Sequence, residues 1–227
     1  MLIALDGLDG SGKETQTKLL LEELEKRNIP HRYLSFPTYD PEACAAVRMY
    51  LGGRFGEDPD AVNGFAASSF FAVDRYCSFQ LDWKKDYEEG KVIVANRYTT
   101  ANAVHQLSKL PPEQADAFLA WLYDYEFEKL GLPRPDLVFY LCLPPELSRS
   151  LIDRRARTTG RSEDIHEKSS QHLERSYRAA LYSSEKLGWE KIDCADPVTG
   201  AMRSRESIHL EIVERLRAKT TIFGDAT

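Results

Sequence analysis

Nine consecutive residues, Gly7-Leu8-Asp9-Gly10-Ser11-Gly12-Lys13-Glu14-Thr15, place three glycines and a lysine between a short apolar run and a segment of helical period. Strand, glycine loop and helix in that order are the context a phosphate-binding loop requires. Gly7, Gly10 and Gly12 let backbone N–H groups converge on phosphate oxygens, and the helix amino end adds positive potential. Lys13 brings a full charge to the β- and γ-phosphates. Glu14 stands where Ser or Thr usually holds magnesium, and Thr15 follows one place later. The Glu14 carboxylate either reaches the ion directly or through water, or simply favours a helix amino end.

Positive charge gathers a second time between Arg149 and Arg161, where Arg149, Arg154, Arg155, Arg157 and Arg161 face the single carboxylate of Asp153. Thr158, Thr159 and Gly160 give this stretch loop character, so it reads as a cover that brings guanidinium groups to a transferring phosphoryl group, or as a solvated basic turn. Phe71 and Arg75 lie four apart and share one helix face, offering a stacking ring beside a donor. Phe71 alone reads equally as core. Arg97 falls just past an apolar run ending at Ala95, where open α/β sheets place ligands. There it can grip a phosphate bidentately, or form a surface ion pair.

The elements that must carry these groups alternate along the chain, which indicates an α/β fold. Strands are expected at Leu2 to Leu5, Arg32 to Phe36, Val92 to Ala95, Leu137 to Leu143 and Lys191 to Cys194. Several are apolar on both faces, as in a parallel sheet covered by helices. Helices are expected over Thr15 to Lys26, Pro41 to Leu51, Ala61 to Glu89 ending at Gly90, Pro111 to Leu130 ending at Gly131, Asp164 to Leu187 and Ser204 to Lys219. The segment Thr220 to Thr227 reads as a frayed tail.

The chain has 227 residues, 42% hydrophobic and 29% charged, which excludes disorder and allows a core without disulfides. Cys44, Cys77, Cys142 and Cys194 form no CxxC pair and read as reduced, buried thiols. The start of the chain has no basic leader and its apolar run is short, so neither a signal peptide nor a membrane span is expected, and the location expected is cytoplasmic. A net charge of −6 disfavours sequence-independent nucleic-acid binding.

On these residues the chain resembles the bacterial thymidylate kinases, from Met1 to about Leu216. The loop fits the family pattern G-x-D-G-x-G-K-x-T. Phe36-Pro37 matches the Phe-Pro near the nucleoside, and Phe71 and Arg75 the ring that stacks on thymine and the arginine that reads the base. Asn96-Arg97-Tyr98 stands where the family has Asp-Arg-Tyr, and Asn102 where a base-contacting amide follows. His105 replaces a tyrosine packed against the deoxyribose. Arg154, Arg157 and Arg161 match the lid arginines, and Asp164 and Glu167 the Asp-x-x-Glu after the lid.

The resemblance implies a P-loop NTPase fold: a five-stranded parallel sheet with helices on both faces and an arginine-rich lid at about 150–166, in one domain over 1–219. It implies transfer of the ATP γ-phosphoryl group to dTMP, with magnesium, in a homodimer built through helices flanking the sheet. Lys13 and the lid arginines Arg154, Arg157 and Arg161 are expected on transition-state charge, and Arg97 on the acceptor phosphate. Asp9 is expected on the acceptor or its metal. Gly7, Asp9, Gly10, Ser11, Gly12, Lys13, Glu14 and Thr15 are expected at ATP. Phe36, Pro37, Phe71, Arg75, Arg97, Asn102, His105 and Glu167 are expected at the acceptor, and Asp9 with Glu167 at magnesium. The changes at Asn96, Glu14 and His105 leave two other readings open, a kinase for a different nucleotide or nucleoside and a nucleotide-binding protein that no longer transfers phosphate.

Overall fold

The structure is a computed structural model that describes residues 1–159 and 164–223, with the backbone alone for 155–159. Five strands, β1 (Leu2–Gly7), β2 (His31–Ser35), β3 (Val92–Asn96), β4 (Leu137–Cys142) and β5 (Glu190–Asp193), form one sheet in the order β2-β3-β1-β4-β5. Every neighbouring pair is parallel. The central strand β1 is bracketed by β3 and β4, so the chain leaves it towards one edge and returns to cross to the other. Such a reversal opens a crevice at the carboxyl ends of the strands.

The helices are α1 (Lys13–Lys26), α2 (Ala45–Leu51), α3 (Gly64–Ser78), α4 (Lys84–Glu88), α5 (Thr99–His105), α6 (Ala115–Tyr123), α7 (Pro145–Thr159), α8 (Ile165–Lys168), α9 (Ser170–Leu187) and α10 (Arg205–Lys219). Alternation along the strands divides the core in two. Leu2, Ala4, Ile93, Ala95, Val138 and Tyr140 pack on one face with Trp83, Phe118, Leu122 and Ala180. Ile3, Leu5, Val94, Phe139 and Leu141 pack on the other with Leu20 and Leu24 of α1 and Ile208 and Ile212 of α10. A period of two that is apolar in both phases is what burial on both faces demands.

Several element limits differ from the sequence reading, each for a local reason. The expected helix from Ala61 to Glu89 is α3, a π-helical turn at Phe79–Trp83, then α4. Its start is set by Asn63, whose side chain accepts from the Ala66 N–H. The expected helix from Pro111 similarly becomes a 3₁₀ turn, α6 and a π-helical turn at Asp124–Lys129. Only Ala45 onwards is helical in the segment after Pro41, because the Asp40 carboxylate ties down the Glu42 and Ala43 N–H groups in a turn. Thr158 and Thr159, expected in a loop, complete α7. The long helix expected from Asp164 breaks at Ser169, whose hydroxyl caps α9. The expected frayed tail is packed through Phe223: Ile222 and Phe223 join the α1/α10 core, with Arg27 lying 4.6 Å over the Phe223 ring.

All four cysteines are free thiols, and Cys44, Cys142 and Cys194 are buried. Among the described residues no helix is long and apolar enough to cross a membrane.

At the end of β1 a side chain is excluded at Gly7, where a Cβ would stand 2.7 Å from the Leu141 carbonyl oxygen. Gly7→Ala is therefore expected to force the loop off β4 and lower stability by about 1–3 kcal/mol, read from the urea midpoint at constant m-value.

Candidate active site

The loop after β1 turns into α1 through Gly12, which takes the left-handed conformation (φ 90°) open to glycine. Lys13, buried in the first turn, folds back so that Nζ donates to the Gly7 and Leu8 carbonyls, both at 2.8 Å. The same ammonium lies 3.8 Å from Asp9. Ser148 of α7 donates to the Asp9 carbonyl at 2.5 Å, which holds α7 against the loop. Glu14 is exposed and pairs with Lys18 at 2.7 Å, so its carboxylate supports the first turns of α1.

Arg97 extends β3 by one residue with its amide donating to the Leu5 carbonyl at 2.9 Å. Its φ of 66° is left-handed, a costly choice for a residue with a side chain and one that clusters at functional sites. The reward is aim: Nη2 donates to Asp9 at 2.6 Å and Nη1 meets His105 Nε2 at 3.0 Å. Burial on its own raises the Asp9 carboxyl, but the charges of Arg97 and Lys13 outweigh it and hold Asp9 well below the usual carboxylate range. Among the described residues Asp164 has no ion-pair partner, and the Arg97 charge only partly offsets what raises it. Its burial and the Asp9 charge push it up to about 6, although it caps α8 by accepting from the His166 and Glu167 N–H groups.

A second polar hub lies deeper. Glu126, completely buried, accepts from Arg75 Nε at 2.6 Å and Nη2 at 2.5 Å, from Thr99 at 2.6 Å and from the Asn102 amide at 2.9 Å. A buried carboxylate needs this many donors to offset lost hydration. Arg75 and Asn102 are thereby fixed in place by α3, α5 and the turn after α6. Nearby, the buried Asp74 accepts from the Thr38 amide at 2.9 Å and from its hydroxyl, which anchors the segment after the cis Phe36-Pro37 peptide.

These elements enclose a cavity of about 350 Å³, the size range of small-ligand sites. Asp9, Gly10, Gly12, Lys13, Glu14 and Thr15 line one end, and Phe36, Pro37, Phe71, Arg75, Arg97, Asn102, His105 and Glu167 the rest. Gly7 and Ser11 sit behind the loop, outside the lining. Phe71 is half-buried on the wall, edge-on to Tyr50 with centroids 6.3 Å apart. His105 is buried. Arg154 is exposed in a separate shallow depression with Glu146, Arg149 and Asp153. The side chain of Arg157 and all of Arg161 lie outside the described residues.

His166, Tyr39 and Leu51 also line the cavity and were not legible from the sequence. Glu126 and Asp74, which orient lining groups from behind, were missed too, because a lone acid inside a helical pattern carries no mark of burial. For magnesium the relevant observations are two orphaned oxygens: Asn96 Oδ1 and Ser11 Oγ are buried without a hydrogen-bond partner. Ser11 Oγ lies outside the cavity lining, whereas Asn96 lines the cavity with the carboxylates of Asp9 and Glu167, and these oxygens fit a hard cation.

Comparison with known proteins converges on one family. The thymidylate kinase family model matches residues 5–203. The chain belongs to the thymidylate kinase family. It is 30% identical over 194 residues to the thymidylate kinase of Mycobacterium tuberculosis, covering 83% of this chain and 87% of that one. It is 29% identical over 227 residues to the probable thymidylate kinase of Thermococcus kodakarensis, covering 99% and 100%. Its fold is shared by the solved thymidylate kinase of Candida albicans, with a TM-score of 0.66 at 18% identity over 96% of this chain and 91% of that one. The protein is thus a nucleoside monophosphate kinase that phosphorylates dTMP with ATP.

Behind the cavity, Lys109 donates to Tyr50 Oη at 2.6 Å and to the Val62 carbonyl at 3.0 Å. Burial lowers its ammonium to about 7 from an ordinary 10.5. Between those values the unfolded chain binds a proton that the native one has released, so the stability contributed here rises with pH from about 7 to 10.5 and is depressed below 7. Lys109→Met is expected to flatten that rise, seen as a smaller gain in Tm between pH 7 and 9 than in the parent.

Proposed function

We propose that dTMP occupies the cavity with its base between Phe71 and the Arg75–Asn102 edge and its 5′-phosphate at Arg97. Supporting this is the Asp9–Arg97 pair, which stands where the phosphate loop meets the cavity. An acceptor phosphate oxygen attacks the γ-phosphorus of ATP as the bond from that phosphorus to the β-phosphate's bridging oxygen breaks, giving dTDP and ADP. The protein's work is to bring two anions into line and to neutralise charge as it spreads over the transferred group. Lys13 leaves its carbonyl contacts for the β- and γ-phosphates. Asp9 holds Arg97 in its strained backbone and accepts the phosphate's hydrogen bond when the acceptor is protonated. Arg154, Arg157 and Arg161 are assigned by the family resemblance to the charge on the transferred group.

Asp9 and Glu167 would hold magnesium, with the unpartnered Asn96 Oδ1 as a further oxygen, and the ion would supply charge neutralisation on the phosphates. Asn96 in place of a carboxylate weakens that hold without removing an oxygen. At the sugar, His105 presents a neutral imidazole whose Nε2 is occupied by Arg97. It is smaller than tyrosine, and a hydroxyl added against an adaptable wall is rejected by only about a hundredfold.

The test is kcat/KM for dTMP, dUMP, dCMP, dGMP and the ribonucleotide of thymine in wild type, Lys13→Ala and His105→Tyr. dTMP should lead and dUMP follow. Lys13→Ala should lose turnover by orders of magnitude while the fold persists by circular dichroism. His105→Tyr should widen the gap between deoxyribose and ribose. A purine or cytosine nucleotide in first place would overturn the base assignment, and equal turnover in Lys13→Ala the loop's role.

The outer face of α3 further supports a homodimer. Phe65, Val73 and Tyr76 are exposed there, and Leu81 is 87% exposed in the π-helical turn that follows. An apolar stripe of that extent is covered in most soluble proteins. Val73→Glu is expected to convert a dimeric mass to a monomeric one in light scattering after size exclusion.

A further inference from the structure

Three imidazoles that the phosphoryl chemistry does not require meet at the wall of the cavity. His105 ends α5, His166 lies in α8 and His172 is in the first turn of α9, with one nitrogen from each within 4.8 Å of the others. All three are buried, His172 completely. Their ring centroids stand 4.4 Å apart for His166 and His172, 5.2 Å for His105 and His166, and 5.7 Å for His105 and His172. Imidazoles sharing one tetrahedral ion through bonds of about 2.0–2.1 Å hold their centroids about 5 Å apart. The centroid spacings match those of a common ion, and binding would have to draw the nitrogens in from the 4.8 Å within which they lie.

We infer that His105, His166 and His172 form a binding site for a divalent transition-metal ion of the zinc class, with a fourth position open to the cavity. Three histidines with one open position is a recurrent zinc arrangement, and imidazole suits zinc where carboxylate and carbonyl oxygens suit magnesium. The two sites differ in chemistry as well as in residues.

The oxygens around the cluster fix which nitrogen of each ring keeps its proton. Ser176 Oγ lies 3.3 Å from His172 Nε2 and 3.4 Å from His105 Nδ1. Tyr50 Oη lies 2.7 Å from His166 Nε2, accepts a hydrogen bond from Lys109 and donates one to the Pro59 carbonyl at 3.2 Å. Because the Ser176 hydroxyl donates to Ser108 Oγ at 3.4 Å, these contacts favour the tautomers with protons on His172 Nε2, His105 Nδ1 and His166 Nε2 and lone pairs on His172 Nδ1, His105 Nε2 and His166 Nδ1. Ligating histidines commonly give their second nitrogen to such a fixed oxygen, which orients the ring. His172 Nδ1 is buried with no partner at all, and an ion would satisfy it. His105 Nε2 turns from Arg97, which retains Asp9.

Two properties of the surroundings suit a cation. Burial keeps all three rings neutral, His172 down to about 3, so no proton competes for the lone pairs at neutral pH. The positive side chains near them are balanced: Arg97 by Asp9 at 2.6 Å and Arg175 by Asp60 at 2.8 Å, while Lys109 near 7 releases its proton readily.

The experiment uses the full chain without nucleotide, so its result is independent of which acceptor the enzyme phosphorylates. Zinc uptake is measured by equilibrium dialysis in millimolar magnesium, and cobalt(II) is added in parallel to record its visible spectrum. One zinc per chain and the intense bands of tetrahedral cobalt are expected, with both lost in His172→Asn and in His166→Asn while circular dichroism shows the fold retained. No zinc above the magnesium-saturated background, or uptake unchanged in folded His172→Asn, would overturn the site. Should both variants unfold, the wild-type cobalt spectrum decides: tetrahedral bands support the site, and the weak spectrum of the hydrated ion refutes it.

Discussion

Arg97 is the residue on which the arrangement of the phosphate end depends. Its amide closes onto β1, its guanidinium reaches Asp9 in the glycine loop and His105 at the end of α5, and its backbone bears left-handed strain to do so. Three elements that are distant in sequence are thus referred to one rigid fork. A lysine could supply the charge but not this division of planar donors between a carboxylate and an imidazole. The strain is affordable because the strand behind it, Val92 to Ala95, is buried on both faces and cannot relax.

The acceptor end has its own fixed point in Glu126. An uncompensated carboxylate at that depth would cost several kcal/mol, and its two oxygens are instead divided among Arg75, Thr99 and Asn102. Arg75 and Asn102, proposed above to face the base, are therefore held before any nucleotide arrives. Preorganisation of this kind improves discrimination, since a wrong base edge must either leave these groups unpaired or break a buried network. The phosphate end works in the opposite way, with Lys13 resting on main-chain carbonyls that it can exchange for phosphate oxygens.

Much of this was readable in the chain. The five strands and the glycine loop announce themselves because sheet burial imposes an apolar pattern on both faces and phosphate binding imposes glycine at fixed steps. Spacing also placed Phe71 and Arg75 on one cavity wall, and Arg97 at the strand's end. What escaped was set by long-range pairing. Nothing within the segment around Glu126 distinguishes it from the exposed Glu128 two residues later, and the partner that buries it, Arg75, lies 51 residues away. His166 and His172 likewise acquire meaning only when α8 and α9 bring them to His105. Helix interruptions at Phe79 and Asp124 were hidden because a π turn keeps the composition of a helix and changes only its hydrogen-bond step.

That step at Asp124–Lys129 has a consequence for how this protein can vary. Within it the Leu130 amide bonds back five residues, to the Tyr125 carbonyl, rather than four. The turn behaves as a regular helix carrying one residue too many, and the surplus lets Glu126 face inward while α6 keeps its own apolar side on the core. Each residue of a regular helix advances the direction of the next by about 100°. Removing one residue of this turn would restore the four-residue step and take from Glu126 the inward position that the surplus allows, whatever the chemical type of the residue removed. At this place chain length is the conserved quantity to look for among relatives, and substitutions should be tolerated where a deletion of one is not.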